Sequence, residues 1–220
     1  MPVPLPIPEI PPAPPPARRP PVPQPDEFRY VAADDPLTLP LLTELAEEYD
    51  ARYGDAWGEP AATEITRYPA AEFAPPHGAF VLLLRDGEPI AGGAFKTFDP
   101  ATTELKRIWT SKHHRRQGLA RRVVAELEDE SRRRGFTRVY LTTGPRQPEA
   151  QRLYAETGYT PLFDPTLPAE EVVIHGFAKS LTGEPLDVAD IRRRHEESLE
   201  HFYAALPNRR LGAGRSEVTA

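Results

Sequence analysis

Residues 113–122 read HHRRQGLARR. Before them runs TTELKRIWT, residues 102–110, which alternates as a strand does; after them Val123, Val124 and Leu127 begin an apolar stripe at helical spacing. The stretch is therefore a loop that leaves a strand and opens a helix. The first turn of a helix has unpaired N–H groups, and the helix dipole makes that end electropositive. Four arginines nevertheless gather there: Arg115, Arg116, Arg121 and Arg122. At a bare helix N-terminus each costs about 0.3–1 kcal/mol, and a bound phosphate reverses that sign. Gly118 has no side chain, so backbone can approach a ligand closely, and Ala120 is nearly as small. The usual nucleotide loops, G-x-x-x-x-G-K-[ST] and G-x-G-x-x-G, are absent. On charge alone, an exposed basic loop on an acidic protein remains the alternative.

Outward from this loop, the 220-residue chain reads as one domain with tails. Residues 1–28 hold 13 of the 28 prolines and cannot build a core, so 1–27 is expected to be an extended, proline-rich tail. It is either a solvated extension or a ligand for a proline-binding partner. Residues 28–181 carry the apolar runs of a folded domain, and 182–220 a C-terminal helix with a frayed end. The net charge of −6 argues against a nucleic-acid binder. Cysteine is absent, which excludes thiol nucleophiles and cysteine-based metal sites. No apolar run is long enough to span a membrane, and the N-terminus does not read as a signal peptide, so a cytoplasmic location is expected.

Around the loop, helices and strands alternate. FRYV (28–31) is a short strand, and the next stretch is helical, with Leu41, Leu42, Leu45, Ala46 and Tyr49 on one face, up to Gly54. Residues 79–98 read as a hairpin turning at Asp86-Gly87. In TTELKRIWT, strict alternation puts Glu104, Lys106 and Ile108 on one face and Leu105, Arg107 and Trp109 on the other. A helix from about Gly118 to Arg134 follows, then a strand TRVYLTT, a short helix from Pro148 and a last strand EEVVIHGFAKSL. A final amphipathic helix carries Ile191, His195, Leu199, Phe202 and Tyr203 on one face, to pack on its own domain or on a second copy as a homodimer. This is an α/β (α+β) pattern: a mixed sheet flanked by helices.

The loop and a later motif together resemble the GNAT superfamily of acyl-CoA-dependent N-acyltransferases. The family signature R/Q-x-x-G-x-G/A is met by Arg115, Arg116, Gln117, Gly118, Leu119 and Ala120. The second motif, A-x-x-L-Y-x-x-x-G-[FY], is met by Ala150, Leu153, Tyr154, Gly158 and Tyr159. The resemblance spans roughly residues 28–180. It implies a largely antiparallel central sheet with a splayed cofactor cleft, acetyl-CoA as acyl donor, no metal, and an amine on a small molecule or peptide as acceptor. The amides of residues 117–120 would cradle the coenzyme A diphosphate, with Arg115 and Arg116 nearby. The backbone of Ile108, Trp109 and Thr110 would pair with the pantetheine arm. Gln147 stands where the family often has a cofactor-touching Asn, and Arg116 where it commonly has Gly.

Amine acylation must move two protons: one off the alkylammonium before attack, one onto the departing thiolate. Glu104 is the candidate base, with a salt bridge to Lys106 or Arg107 as the alternative reading. Tyr154 is the candidate acid, with core packing as the alternative. Glu64, Phe73 and the turn at 74–78, in the long segment between the first helix and the hairpin, are candidate walls of the acceptor pocket, and His175 is a further candidate. His113 and His114 read as loop residues. The competing function is a non-catalytic acyl-CoA-binding or partner-recruiting module.

Overall fold

The computed structural model describes residues 25–54 and 61–205, with residues 61, 64, 202, 203 and 205 described by backbone only. In chain order the elements are β1 (Glu27–Tyr30), α1 (Leu39–Tyr53), α2 (Ala61–Thr66), β2 (Gly78–Arg85), β3 (Glu88–Asp99), β4 (Thr102–Thr110), α3 (Leu119–Arg133), β5 (Arg138–Thr143), α4 (Pro148–Glu156), β6 (Thr160–Pro161), β7 (His175–Ser180) and α5 (Val188–Ala205). The strands form one sheet in the order β1-β2-β3-β4-β5-β7-β6. Every pairing is antiparallel except β4 with β5. The parallel pair follows from chain length: α3 lies between those strands and supplies the crossover a parallel connection needs.

Alternation along the strands gives the sheet two buried faces. On one, Leu119, Val123, Val124 and Leu127 of α3 and Tyr154 of α4 pack on Val81, Leu83, Leu105, Val139, Leu141 and Phe177. On the other, Leu41 and Leu45 of α1 meet Phe80, Leu82, Leu84 and Trp109. Further along that second face, Ile191 of α5 meets Tyr140, Leu162 and Ala178. Helix α5 thus packs on its own sheet. The side chains of Phe202 and Tyr203, and the tails at 1–24 and 206–220, lie outside the described residues. Among the described residues no helix is long and apolar enough to cross a membrane.

Strand β4 departs from strict alternation. Its register with β3 steps from Ala94↔Lys106 to Gly92↔Trp109, so two residues, Arg107 and Ile108, oppose Gly93. Arg107 takes a positive φ of 58° at this bulge. The extra residue exchanges the faces beyond it. Ile108 joins the α3 core, and Trp109 joins the α1 core, on the Glu104 side. The expected grouping of Ile108 with Glu104, and of Trp109 opposite, is corrected for that reason.

Two further expectations are revised. The last strand begins at His175; residues 169–171 before it form a single 3-10 turn. The long segment before the hairpin contains α2 and a 3-10 turn, Ala70–Phe73.

Candidate active site

The sheet splits beside the bulge. Strand β5 pairs with β4 only from Thr102↔Arg138 to Leu105↔Leu141. Beyond Leu105, β4 keeps β3 as its partner, while β5 continues to Thr143 against β7. Residues 106–110 therefore turn one backbone edge toward a wedge that opens between β4 and β5. Ser111 donates its amide to Ile90 O (3.0 Å) on the β3 side. Alternation then directs the backbone of Ile108 and Thr110 toward the wedge. Thr110 Oγ1 is buried there without a hydrogen-bond partner among the described residues.

The first wall of the wedge ends at the N-terminus of α3. Gly118 is its N-cap, left-handed at φ 74°, and no side chain caps the helix. A Cβ built on Gly118 would meet nothing within 4 Å, so this backbone faces open space. Arg116 also has a positive φ, 63°, in a region that costs a non-glycine residue about 1 kcal/mol or more. That is a physical reason for glycine at this position.

Three of the four arginines are already paired. Arg115 binds Glu48 of α1 (2.6 Å), Arg121 binds Glu156 (2.8 Å) and Arg122 binds Asp26 (2.5 Å). Arg85 also grips Asp26 and holds that carboxyl at about 2. Arg116 is exposed and has no ion-pair partner among the described residues. An uncapped helix start, an orphaned hydroxyl and an unpaired guanidinium fit a phosphate-bearing ligand.

The second wall is β5 with α4. Gln147 Oε1 accepts from Thr143 Oγ1 (2.8 Å) and from the Gly144 amide (3.1 Å). Tyr154 lies on α4, 5% exposed, with its ring against Tyr159 and Phe177. Burial, and then the Tyr49 phenol, push the Tyr154 hydroxyl well above its ordinary value, so it stays protonated.

On the α1 face, Glu104 sits one rung before the split, in register with Tyr140. It is 5% exposed. Lys106 Nζ lies 2.7 Å from its carboxylate and Lys96 Nζ 3.5 Å. Both ammoniums also lie over the Tyr68 ring, Lys96 at 4.6 and Lys106 at 5.1 Å from its centre. The Lys106 salt bridge is the alternative the sequence held open. Among the described residues no three His, Asp or Glu side chains gather as a metal site.

Residues 42–159 match the family model described as the Acetyltransferase (GNAT) family. The chain belongs to that family. An uncharacterized N-acetyltransferase of Bacillus subtilis, YsnE, is 35% identical over 77 residues, 34% of this chain and 51% of that protein. The chain thus matches about half the length of that relative. Among solved structures, a GNAT acetyltransferase from Staphylococcus aureus superposes with a TM-score of 0.54 at 14% identity, covering 71% of this chain and 100% of the other. The PaiA N-acetyltransferase of Thermoplasma acidophilum, solved with coenzyme A, gives 0.52 at 16% identity, covering 71% and 99%. At such identities these structures speak for the fold. The chain is a member of the GNAT acetyltransferase family with a mixed, mostly antiparallel sheet.

In this GNAT fold several expected residues gather along the wedge and others do not. Ile108, Thr110 and residues 115–120 lie on the β4–α3 side of the split, and Gln147 and Tyr154 on the β5–α4 side, with Tyr154 inside the core. The Trp109 side chain is core: it is 3% exposed, and its indole donates to Glu44 (3.0 Å). Phe73 is 1% exposed, between Tyr68 and Phe80 with Arg107 over its ring, so it supports the site from the core and lines no pocket. His175 is buried, stacked on Phe163, with Nε2 3.2 Å from Ala169 O. The Glu64 side chain lies outside the described residues.

Sequence reasoning missed Tyr140 and His195 as a pair. The Tyr140 hydroxyl lies 2.7 Å from His195 Nδ1. The imidazole rests on Gly176, where a Cβ would come within 2.7 Å of the ring. Burial lowers His195 to about 4, so it is neutral near pH 7. A helical face with one histidine among apolar residues was the available signal.

Proposed function

We propose that the protein transfers an acetyl group from acetyl-CoA to an amine of a small molecule or peptide. The observation that carries this reading is the coincidence of the β4/β5 split with the uncapped, glycine-led start of α3. The amides of residues 117–120 and the Arg115 and Arg116 guanidiniums hold the diphosphate. The backbone of Ile108 and Thr110 pairs with the pantetheine arm as an added strand would. Gln147 has its carbonyl oxygen engaged in its own loop, so its amide nitrogen is the group left for a ligand.

Acetyl-CoA supplies the activated thioester. Glu104 attracts the acceptor ammonium, which loses one proton to solvent through water at that carboxylate before the nitrogen attacks. Tyr154 gives its proton to the departing sulfur and regains one from the acylated nitrogen, so the products are an amide and a free thiol. Burial raises the Tyr154 pKa, so the phenol is protonated near neutral pH.

Calorimetric titration with acetyl-CoA, followed by thiol release across an amine panel, tests the reading. Micromolar binding and amine-dependent release are expected, and absence of binding overturns it. The grip of Lys106 and Lys96 on Glu104 favours a second reading, a non-catalytic acyl-CoA-binding module. Tight binding with no turnover on any amine would select that one.

A further inference from the structure

Glu44, Glu48 and Arg52 are spaced four residues apart on α1 and share one face. Each reaches a wall of the wedge. Glu44 Oε2 accepts from the Trp109 indole (3.0 Å) and from the Lys112 amide (3.1 Å), on the first wall. Arg52 donates to Arg146 O (2.5 Å) and pairs with Glu149, on the second. Arg146 donates back to Arg52 O (2.6 Å), and its amide donates to the Tyr53 hydroxyl (3.2 Å). Glu48 joins the two sides. One carboxylate oxygen takes Arg115 (2.6 Å) and the other takes Arg52 (2.6 Å). One polar stripe of α1 therefore ties the loop before α3 to the loop before α4.

We propose that Glu48 tunes cofactor affinity by competing with the cofactor diphosphate for Arg115. The proposal rests on the coenzyme A reading of the Gly118 loop. The Arg115 side chain is 47% exposed and the Glu48 side chain 20% exposed, so the arginine can exchange partners while the carboxylate keeps Arg52. A diphosphate at the start of α3 offers two negative oxygens where Glu48 offers one. The Glu48 charge also repels an anion arriving beside it. Both effects make Glu48 a brake on binding, and competition for Arg115 is the larger of them.

The test is a double-mutant cycle in binding. Coenzyme A is titrated calorimetrically into wild type, Glu48→Gln, Arg115→Gln and the double variant, with thermal melts to check folding. Glu48→Gln is expected to bind about threefold to fivefold more tightly, the range of an exposed ion pair. Arg115→Gln is expected to bind more weakly, and in that background Glu48→Gln is expected to lose most of its gain. Unchanged or weaker binding by Glu48→Gln, or an equal gain without Arg115, overturns the proposal while leaving the cofactor reading intact. A wild type that does not bind coenzyme A overturns the cofactor reading, and the proposal with it.

Discussion

The two walls of the wedge are built from different material. The first is main chain: a bulged strand with one free edge, then a helix opened by a left-handed Gly118 with no side-chain cap. The second is side chain: Gln147 folded onto its own loop and Tyr154 buried among rings. Backbone N–H groups at a helix start bind any anion of suitable size. Side chains set which neighbour fits and where a proton sits. On the proposed reading, the first wall carries the part of the chemistry common to acyl-CoA ligands, and the second carries what is particular to this chain.

The largest effect expected is on the first wall. Gly118→Glu places a carboxylate where the proposed function puts the diphosphate, and like charges in contact cost several kcal/mol, roughly a thousandfold in coenzyme A affinity. Gly118→Ala adds only strain at φ 74°, about 1 kcal/mol of stability, because its Cβ enters open space. Equal coenzyme A affinity in a folded Gly118→Glu variant would remove the cofactor from this wall.

Next in size is an acid effect behind the second wall, where α5 packs on β5. His195 is lowered to about 4 in the folded protein, against an ordinary 6.5. The unfolded chain binds the proton more readily, so stability is full above pH 6.5 and is lost as pH falls toward 4. The loss is on the order of 3 kcal/mol. Buried His175, also lowered by burial, adds to it in the same direction. Urea melts at pH 7 and pH 5 read about 2 kcal/mol of this loss, and His195→Gln should flatten the difference. An equally steep dependence in that variant would take His195 out of the account.

Tyr154→Phe follows. It removes one hydroxyl from a ring that stays packed on Tyr159 and Phe177. Turnover should drop at least tenfold, with acetyl-CoA affinity unchanged. Equal turnover would return Tyr154 to the core.

The unequal legibility of the two walls has the same origin. Gly118, the arginines and the strand before them are neighbours in sequence, so local spacing exposes the first wall. Periodicity also located β4 and the hairpin at Asp86-Gly87. It reads as unbroken alternation across the bulge at Arg107, although the two charged residues Lys106 and Arg107 between Leu105 and Ile108 already depart from it. Behind the second wall Tyr140 meets His195, 55 residues apart, and at the wall itself Arg52 meets Glu149, 97 apart. Such pairs are set by packing of α1 and α5 on the sheet. The stripe Glu44, Glu48, Arg52 reads from sequence as an ordinary solvated face, and only the fold shows what it spans.

The smallest effect is the one that tests the contrast most directly. Gln147 Oε1 holds Thr143 Oγ1 and the Gly144 amide. Gln147→Ala should therefore cost stability, about 1 kcal/mol for each hydrogen bond lost. Coenzyme A affinity should change by less than about threefold, because a neutral amide contact beside the cofactor contributes little next to charge-assisted ones. Thermal melts and calorimetry on one preparation separate the two. If affinity fell tenfold with stability untouched, the side chain would be a ligand group and its loop contacts incidental. The second wall would then bind the cofactor as directly as the first, and the division of labour between main chain and side chain would fail.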